Sequence, residues 1–156
     1  MATRGTKLIF GLVIPDMAKC LWADIASGIR QTAQKDGHGV CVPLCWDDPA
    51  AVLHHPSVFA RLCAESGIDG VFLRAFTDRK DTRRVLSALR REKIPVALLR
   101  INDESPVGGM GFDVVTLRSE GRVPSLLAAQ LGSVACHALL QRLANPRYPL
   151  ADLVLE

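Results

Sequence analysis

Aromatic residues are scarce: two Trp, one Tyr and five Phe make up 5% of 156 residues. That scarcity argues against a stacking surface for single-stranded nucleic acid. No apolar run reaches membrane-spanning length. No charged start, apolar core and cleavage site open the chain. A cytoplasmic protein with no membrane partner is therefore expected. Charge of one sign is also lacking. Nineteen Lys and Arg against 16 Asp and Glu leave a formal +3, too little to imply nucleic acid by itself.

Familiar catalytic and nucleotide motifs are missing too. There is no Gly-x-x-x-x-Gly-Lys-Ser/Thr, no Gly-x-Gly-x-x-Gly after the first strand and no Gly-x-Ser-x-Gly elbow. Gly108-Gly109-Met110-Gly111 follows no apolar strand and reads as a loop. His137 lies in a leucine-rich helical pattern, where a structural role is expected. Nothing assembles a nucleophile, a base and an orienting group, so no catalytic residue, no cofactor and no enzyme activity are expected. Five cysteines, an odd number without a secretion signal, predict reduced thiols. Cys41 and Cys45 flank Val42-Pro43-Leu44, with His54-His55 beyond, but a zinc site wants a second pair or tightly spaced histidines. No metal site is expected. Cys20, Cys63 and Cys136 fall in helical patterns and read as small buried hydrophobes.

What is present is an alternation. Lys7–Ile14 is an apolar run of strand length, ended by Pro15-Asp16, because proline cannot donate to a ladder. Leu21, Trp22, Ile25, Ala26 and Ile29 then recur at helical spacing, predicting a helix from about Lys19 to Lys35. Asp36-Gly37-His38-Gly39 closes it, and Val40–Cys45 is a second strand. Pro49 opens a helical stretch interrupted near Pro56 and ended by Ser66-Gly67. Ile68–Leu73 is a third strand. Asp81–Glu92 is a helix capped by Asp78 or Asp81, and Ile94–Leu99 a fourth strand. Asn102–Gly111 reads as a loop, Phe112–Arg118 as a fifth strand, Val123–Leu143 as the longest helix and Leu150–Leu155 as a terminal strand.

This order predicts one α/β domain over 1–156: a parallel sheet in a three-layer α/β/α, flavodoxin-like arrangement. Ligands on such sheets bind beyond the carboxyl ends of the strands. Asp16 is the polar candidate at the mouth of the first strand, although turn chemistry explains it equally well. Arg74, Arg79, Lys80, Arg83, Arg84, Arg90, Arg91 and Lys93 crowd one stretch, on and around one helix, against Asp78, Asp81 and Glu92. A solvated face is the expected reading, with an anion or partner surface as the sharper alternative.

The ordered set of strands resembles the effector-binding core of LacI/GalR-type transcriptional regulators, which share the type I periplasmic-binding-protein-like fold. Leu12-Val13-Ile14-Pro15-Asp16, followed by a helix carrying Ala23, Gly28 and Ile29, is similar to that family's opening strand and helix. Gly67-Ile68-Asp69-Gly70-Val71-Phe72-Leu73 and Ile94-Pro95-Val96-Ala97-Leu98-Leu99 resemble its third and fourth strands. Residues 7–101 match the first lobe in order, and 112–156 resemble a closing strand, helix and strand. The chain thus looks like one lobe.

The resemblance implies a sensor domain that binds a small sugar-like effector, associates as a homodimer and meets DNA only through a helix-turn-helix unit outside this chain. It places first-lobe ligand contacts at Lys19, Leu21 and Trp22 after strand one. Further contacts fall at Trp46 and Asp47 after strand two, Arg74 and Phe76 after strand three, and Arg100 and Asp103 after strand four, with Asp16 beside them. Three positions depart from the family pattern. Leu21 replaces an aromatic, Lys19-Cys20 an Asn-Pro, and Arg100-Ile101 an Asp-Arg. Two alternatives stay open: a structural or oligomerisation domain without a ligand, and a small α/β enzyme.

Overall fold

The computed structural model describes residues 7–14, 20–41, 49–102 and 111–156. Element order is β1 (Ile9–Val13), α1 (Cys20–Lys35), β2 (Gly39–Cys41), α2 (Pro49–His54), α3 (Pro56–Glu65), β3 (Gly70–Arg74), α4 (Arg79–Arg91), β4 (Val96–Ile101), β5 (Asp113–Leu117), α5 (Ser125–Ala144) and β6 (Asp152–Leu155). The strands form one six-stranded sheet in the order β2-β1-β3-β4-β5-β6, and every neighbouring pair is parallel. This is the α/β class that the alternation predicts.

Strand alternation sorts the core onto two faces. Phe10, Leu12, Phe72, Ala97, Leu99, Val115 and Leu117 face α1 and α5. Val13, Val71, Leu73, Val96, Leu98 and Val114 face α3 and α4. Both sides are covered, which explains why the strands read as continuous apolar runs. Trp22, Ile25, Ala26, Ile29 and Ala33 form the buried stripe of α1. On α5 the stripe is Ala128, Leu131, Gly132, Ala135, Cys136 and Leu139.

The two helices approach at glycine. A Cβ on Gly28 would lie 2.0 Å from the Ala129 carbonyl oxygen, and one on Gly132 would lie 2.1 Å from that of Ile25. Backbone meets backbone there, and only glycine leaves the room.

Boundaries differ from the sequence expectation for identifiable reasons. The third strand starts at Gly70, not Ile68, because Asp69 is spent on a clamp. Its N–H donates to the Ile9 carbonyl and its carboxylate accepts from the Ile9 N–H, each at 2.8 Å. Helix α4 begins at Arg79 because Asp78 is the cap that forms, accepting from the Lys80 N–H at 2.8 Å. The expected break at Pro56 is present: α2 ends at His54 and α3 restarts with Pro56 in its first turn. The second strand is described only to Cys41; its predicted remainder lies outside the described residues. So does the Gly108–Met110 part of the loop.

Beneath the amino ends of β5 and β6, Arg142 and Asp113 form a buried, two-pronged ion pair at 3.0 Å for both contacts. Arg142 also donates to the carbonyls of Pro146, Tyr148 and Pro149. Asp113 accepts from the Ala151 N–H at 2.9 Å. One guanidinium therefore organises the turn that brings β6 onto the sheet.

Candidate ligand site at the carboxyl rim

All six strands end on one rim, where the polar turns meet the amino ends of α1, α4 and α5. Strand order reverses between β1 and β3, so the switch point lies where the chain leaves those two strands. The side chain that tops β3 there is Arg74. Within β3, Phe72 and Arg74 alternate with Val71 and Leu73, and parity puts Arg74 on the α1 side. Its guanidinium carbon stands 4.8 Å from the Trp22 ring centroid, a cation–π contact. Trp22 is 3% exposed and belongs to the α1–α5 core, so its ring is a floor covered by Arg74.

The other described candidates divide. Leu21, half-buried, packs beside Trp22 with the α1–α5 layer. Phe76 packs with the opposite layer, against α2–α4. Its backbone N–H donates to the hydroxyl of fully buried Thr82 at 2.9 Å, which fixes the β3–α4 turn. Arg100 also points to that second side, donating from Nε to Thr116 Oγ1 at 3.1 Å. The structure thus brings Leu21, Trp22 and Arg74 together, and sets Phe76 and Arg100 across the sheet edge. Asp16, Lys19, Trp46, Asp47 and Asp103 lie outside the described residues.

Beside Leu21 the rim opens into a groove of about 670 Å³. Leu21 and Ile101 form its apolar wall, Asp24 and Arg122 supply opposite charges, and Asn102 and Ser125 complete the polar side. Asn102 adopts a left-handed conformation, φ 51°. It is held there by two bonds: its N–H donates to the Leu117 carbonyl at 2.7 Å, and its Oδ1 accepts from the Ser119 N–H at 3.0 Å. Asparagine tolerates this geometry better than most residues. Such constraint at a rim is what a preorganised binding turn requires.

Helix α5 starts in this groove behind Pro124, with no side-chain cap on its first turn. Its leading N–H groups therefore face a polar opening, where acceptor or anionic ligand groups are favoured. Asp24, Arg122 and Ser125 escaped the sequence reading because each is an ordinary helix-face or loop residue by its neighbours. Only the β5–α5 connection, residues 118–124, carries Arg122 to α1.

Elsewhere the chemistry is quiet. Among the described residues no group of His, Cys, Asp and Glu is arranged to hold a metal. Cys63 and Cys136 are buried free thiols, and burial, helped by Asp36, pushes Cys136 up to about 12. His137 is exposed on α5, so it serves neither the core nor a buried catalytic set. His38 does structural work: its Nδ1 accepts from the Leu8 N–H at 3.0 Å. No described helix is long and apolar enough to cross a membrane.

No family model matches the chain, and no curated protein matches it in sequence. Solved structures do match in fold. The transcription regulator CcpA of Lactococcus lactis superposes with a TM-score of 0.53 at 15% identity, over 97% of this chain and 59% of that one. The lac repressor dimer bound to operator and the anti-inducer ONPF gives 0.53 at 16% identity, over 96% of this chain and 56% of that one. A periplasmic binding ribose operon repressor protein from Lactobacillus acidophilus gives 0.52 at 13% identity, over 96% of each. The fold is that of the LacI-type regulator core. This chain spans little more than half the length of the CcpA and lac repressor chains.

Proposed function

We propose that this chain is a single ligand-binding lobe of LacI-type sensor architecture, taking a small polar, sugar-like effector at the carboxyl rim. The observation that carries the reading is the 670 Å³ groove beside Leu21, which combines an apolar wall with Asp24, Arg122 and an uncapped helix start. Its volume is in the range of small-molecule sites. A polyhydroxylated ligand needs both acceptors and donors: Asp24 accepts from hydroxyls, while Arg122 and the α5 N–H groups donate. Arg74, stacked on Trp22, borders the switch point and offers a further cation to a ligand reaching that far. In this reading the protein is a cytoplasmic, non-enzymatic homodimer, and DNA contact would come from a separate helix-turn-helix unit.

The test is a thermal-shift screen of the full chain against sugars, sugar phosphates, nucleosides and small organic acids. A ligand that binds only the native state raises the melting temperature with concentration. One chemical class should do so, and Arg122→Ala and Asp24→Asn should each weaken it about tenfold or more. Trp22→Ala is unsuitable as a probe, because it would empty the core. A flat screen over a cooperative melt refutes the reading.

One observation favours assembly as a second reading. The edge strand β6 and its approach expose Leu150 (55%), Leu153 (40%) and Val154 (43%). An apolar edge strand is a pairing surface. Sedimentation over a wide concentration range should show a dimer or larger species; a monomer throughout excludes this role.

A further inference from the structure

The crowded basic helix forms a site of its own, away from the rim groove. Helix α4 turns Thr82, Val85, Leu86, Ala88 and Leu89 inward and its cations outward. Lys80, Arg83, Arg84 and Arg91 line one groove of about 540 Å³ between α4 and the start of α3, together with the hydroxyl-bearing Ser57 and Ser87. Among the described residues no acidic side chain lines it. The nearest carboxylate contact is that of Asp81 with Arg84 Nη1, long at 3.9 Å and largely solvated. Among the described residues no ion pair engages Lys80, Arg83 or Arg91.

Arg84 is positioned by the fold: its Nη2 donates to the Leu53 carbonyl at 3.3 Å, which holds the guanidinium at the α2–α3 junction. Cations three and four residues apart on a helix sit about 5–6 Å from one another and repel. A bound anion relieves that repulsion and gains from all of them.

The spacing decides what kind of anion. Lys80 to Arg91 spans about 16 Å along the helix at 1.5 Å per residue. A single phosphate meets one adjacent pair of these cations, whereas linked phosphates, approached by long flexible side chains from both ends, meet more of them. Among the described residues no aromatic side chain lines the groove to stack a base. We propose that the α3–α4 groove is a binding site for a small molecule bearing two or more linked phosphates, recognised through its phosphates. Arg83 and Arg84 would grip phosphate oxygens in the forked manner of guanidinium, with Lys80 and Arg91 as flanking charges and the serine hydroxyls as donors between.

Calorimetric titration of the full chain with inorganic tripolyphosphate, at near-physiological salt, tests this. Saturable one-site binding is expected, with orthophosphate weaker by about tenfold or more, since it meets fewer cations. The double variant Arg83→Gln/Arg91→Gln, whose side chains make no hydrogen bond or ion pair among the described residues, should keep the wild-type melt and lose about tenfold or more in affinity. Arg61→Gln, the same kind of change on the exposed face of α3, should bind as wild type. The proposal is overturned by absence of saturable binding, by equal loss in Arg61→Gln, or by a single-stranded oligonucleotide of equal charge binding more tightly than tripolyphosphate. Because the rim residues are untouched, an effector found in the thermal screen should bind the double variant normally, which separates failure here from failure there.

Discussion

The glycine crossing of α1 and α5 gives the most demanding test of the fold. Gly28→Ala would place a methyl 2.0 Å from the Ala129 carbonyl oxygen, 2.8 Å from its carbon and 3.0 Å from its Cα. All three are backbone atoms, so no rotamer change relieves the clash. The helices must separate by roughly 1 Å, and a gap of that size forfeits a quarter to a half of the dispersion energy of the contacts across it. Ile25, Ile29, Leu131 and Ala135 lie fully buried along the contact. With such aliphatic side chains worth about 1.5–3 kcal/mol each, the opening costs about 3–4 kcal/mol. Alanine returns about 1 kcal/mol in helix propensity, leaving a net loss of about 2–3 kcal/mol. In a chain of this length that lowers the melting temperature by roughly 5–10 °C.

Urea unfolding followed by far-ultraviolet circular dichroism measures it as a lower midpoint with an unchanged slope. Ser27→Ala, one position away on α1, should stay within about 0.5 kcal/mol of wild type. Gly132→Ala, whose methyl would sit 2.1 Å from the Ile25 carbonyl oxygen, should behave like Gly28→Ala. The double variant should lose less than the two losses added, because helices parted by one methyl already admit the other. A Gly28→Ala protein about 1 kcal/mol more stable than wild type would show propensity acting alone, and the close crossing would be wrong.

Three further outcomes follow from the same packing. Asp113→Ala strands the Arg142 guanidinium, 12% exposed, without its carboxylate and should cost about 3–5 kcal/mol in urea melts; a loss below 1 kcal/mol would contradict a buried pair. Lys93 closes α4 in a left-handed conformation, φ 59°, so Lys93→Gly should gain roughly 0.5 kcal/mol, strain relief exceeding the added entropy of the unfolded chain; a destabilised variant would argue against that cap. The Cys136 thiol is raised by burial, with Asp36 adding to it, to about 12. Above its unfolded value near 9 the unfolded state releases a proton that the native state keeps. Its contribution to stability is therefore complete below that pH and lost as pH climbs toward about 12. Over that window wild type should lose stability faster than Cys136→Ala by up to about 1.4 kcal/mol per pH unit; parallel curves would refute it.

Periodicity alone specified most of the fold. Two-sided burial made the strands continuous apolar runs, and one-sided burial gave α1 and α4 their stripes, so element type and order were readable residue by residue. At two boundaries that moved, a side chain had taken over a backbone task, as Asp69 did for Ile9 and Asp78 for Lys80. The rim was less legible. A sequence reports that Trp22 opens a helix and Arg74 ends a strand, but not that one covers the other, because that depends on the parity of β3 and on how α1 packs against it. The same limit hid Asp24, Arg122 and Ser125, which come together only when α5 packs on α1. What the sequence by itself determined was local: which segments pair as parallel strands, which faces are buried and which helix carries the cations. Tertiary structure decided the rest, the glycine crossing, the Arg142 turn and both grooves, because each joins residues far apart in the chain whose chemistry has meaning only in contact.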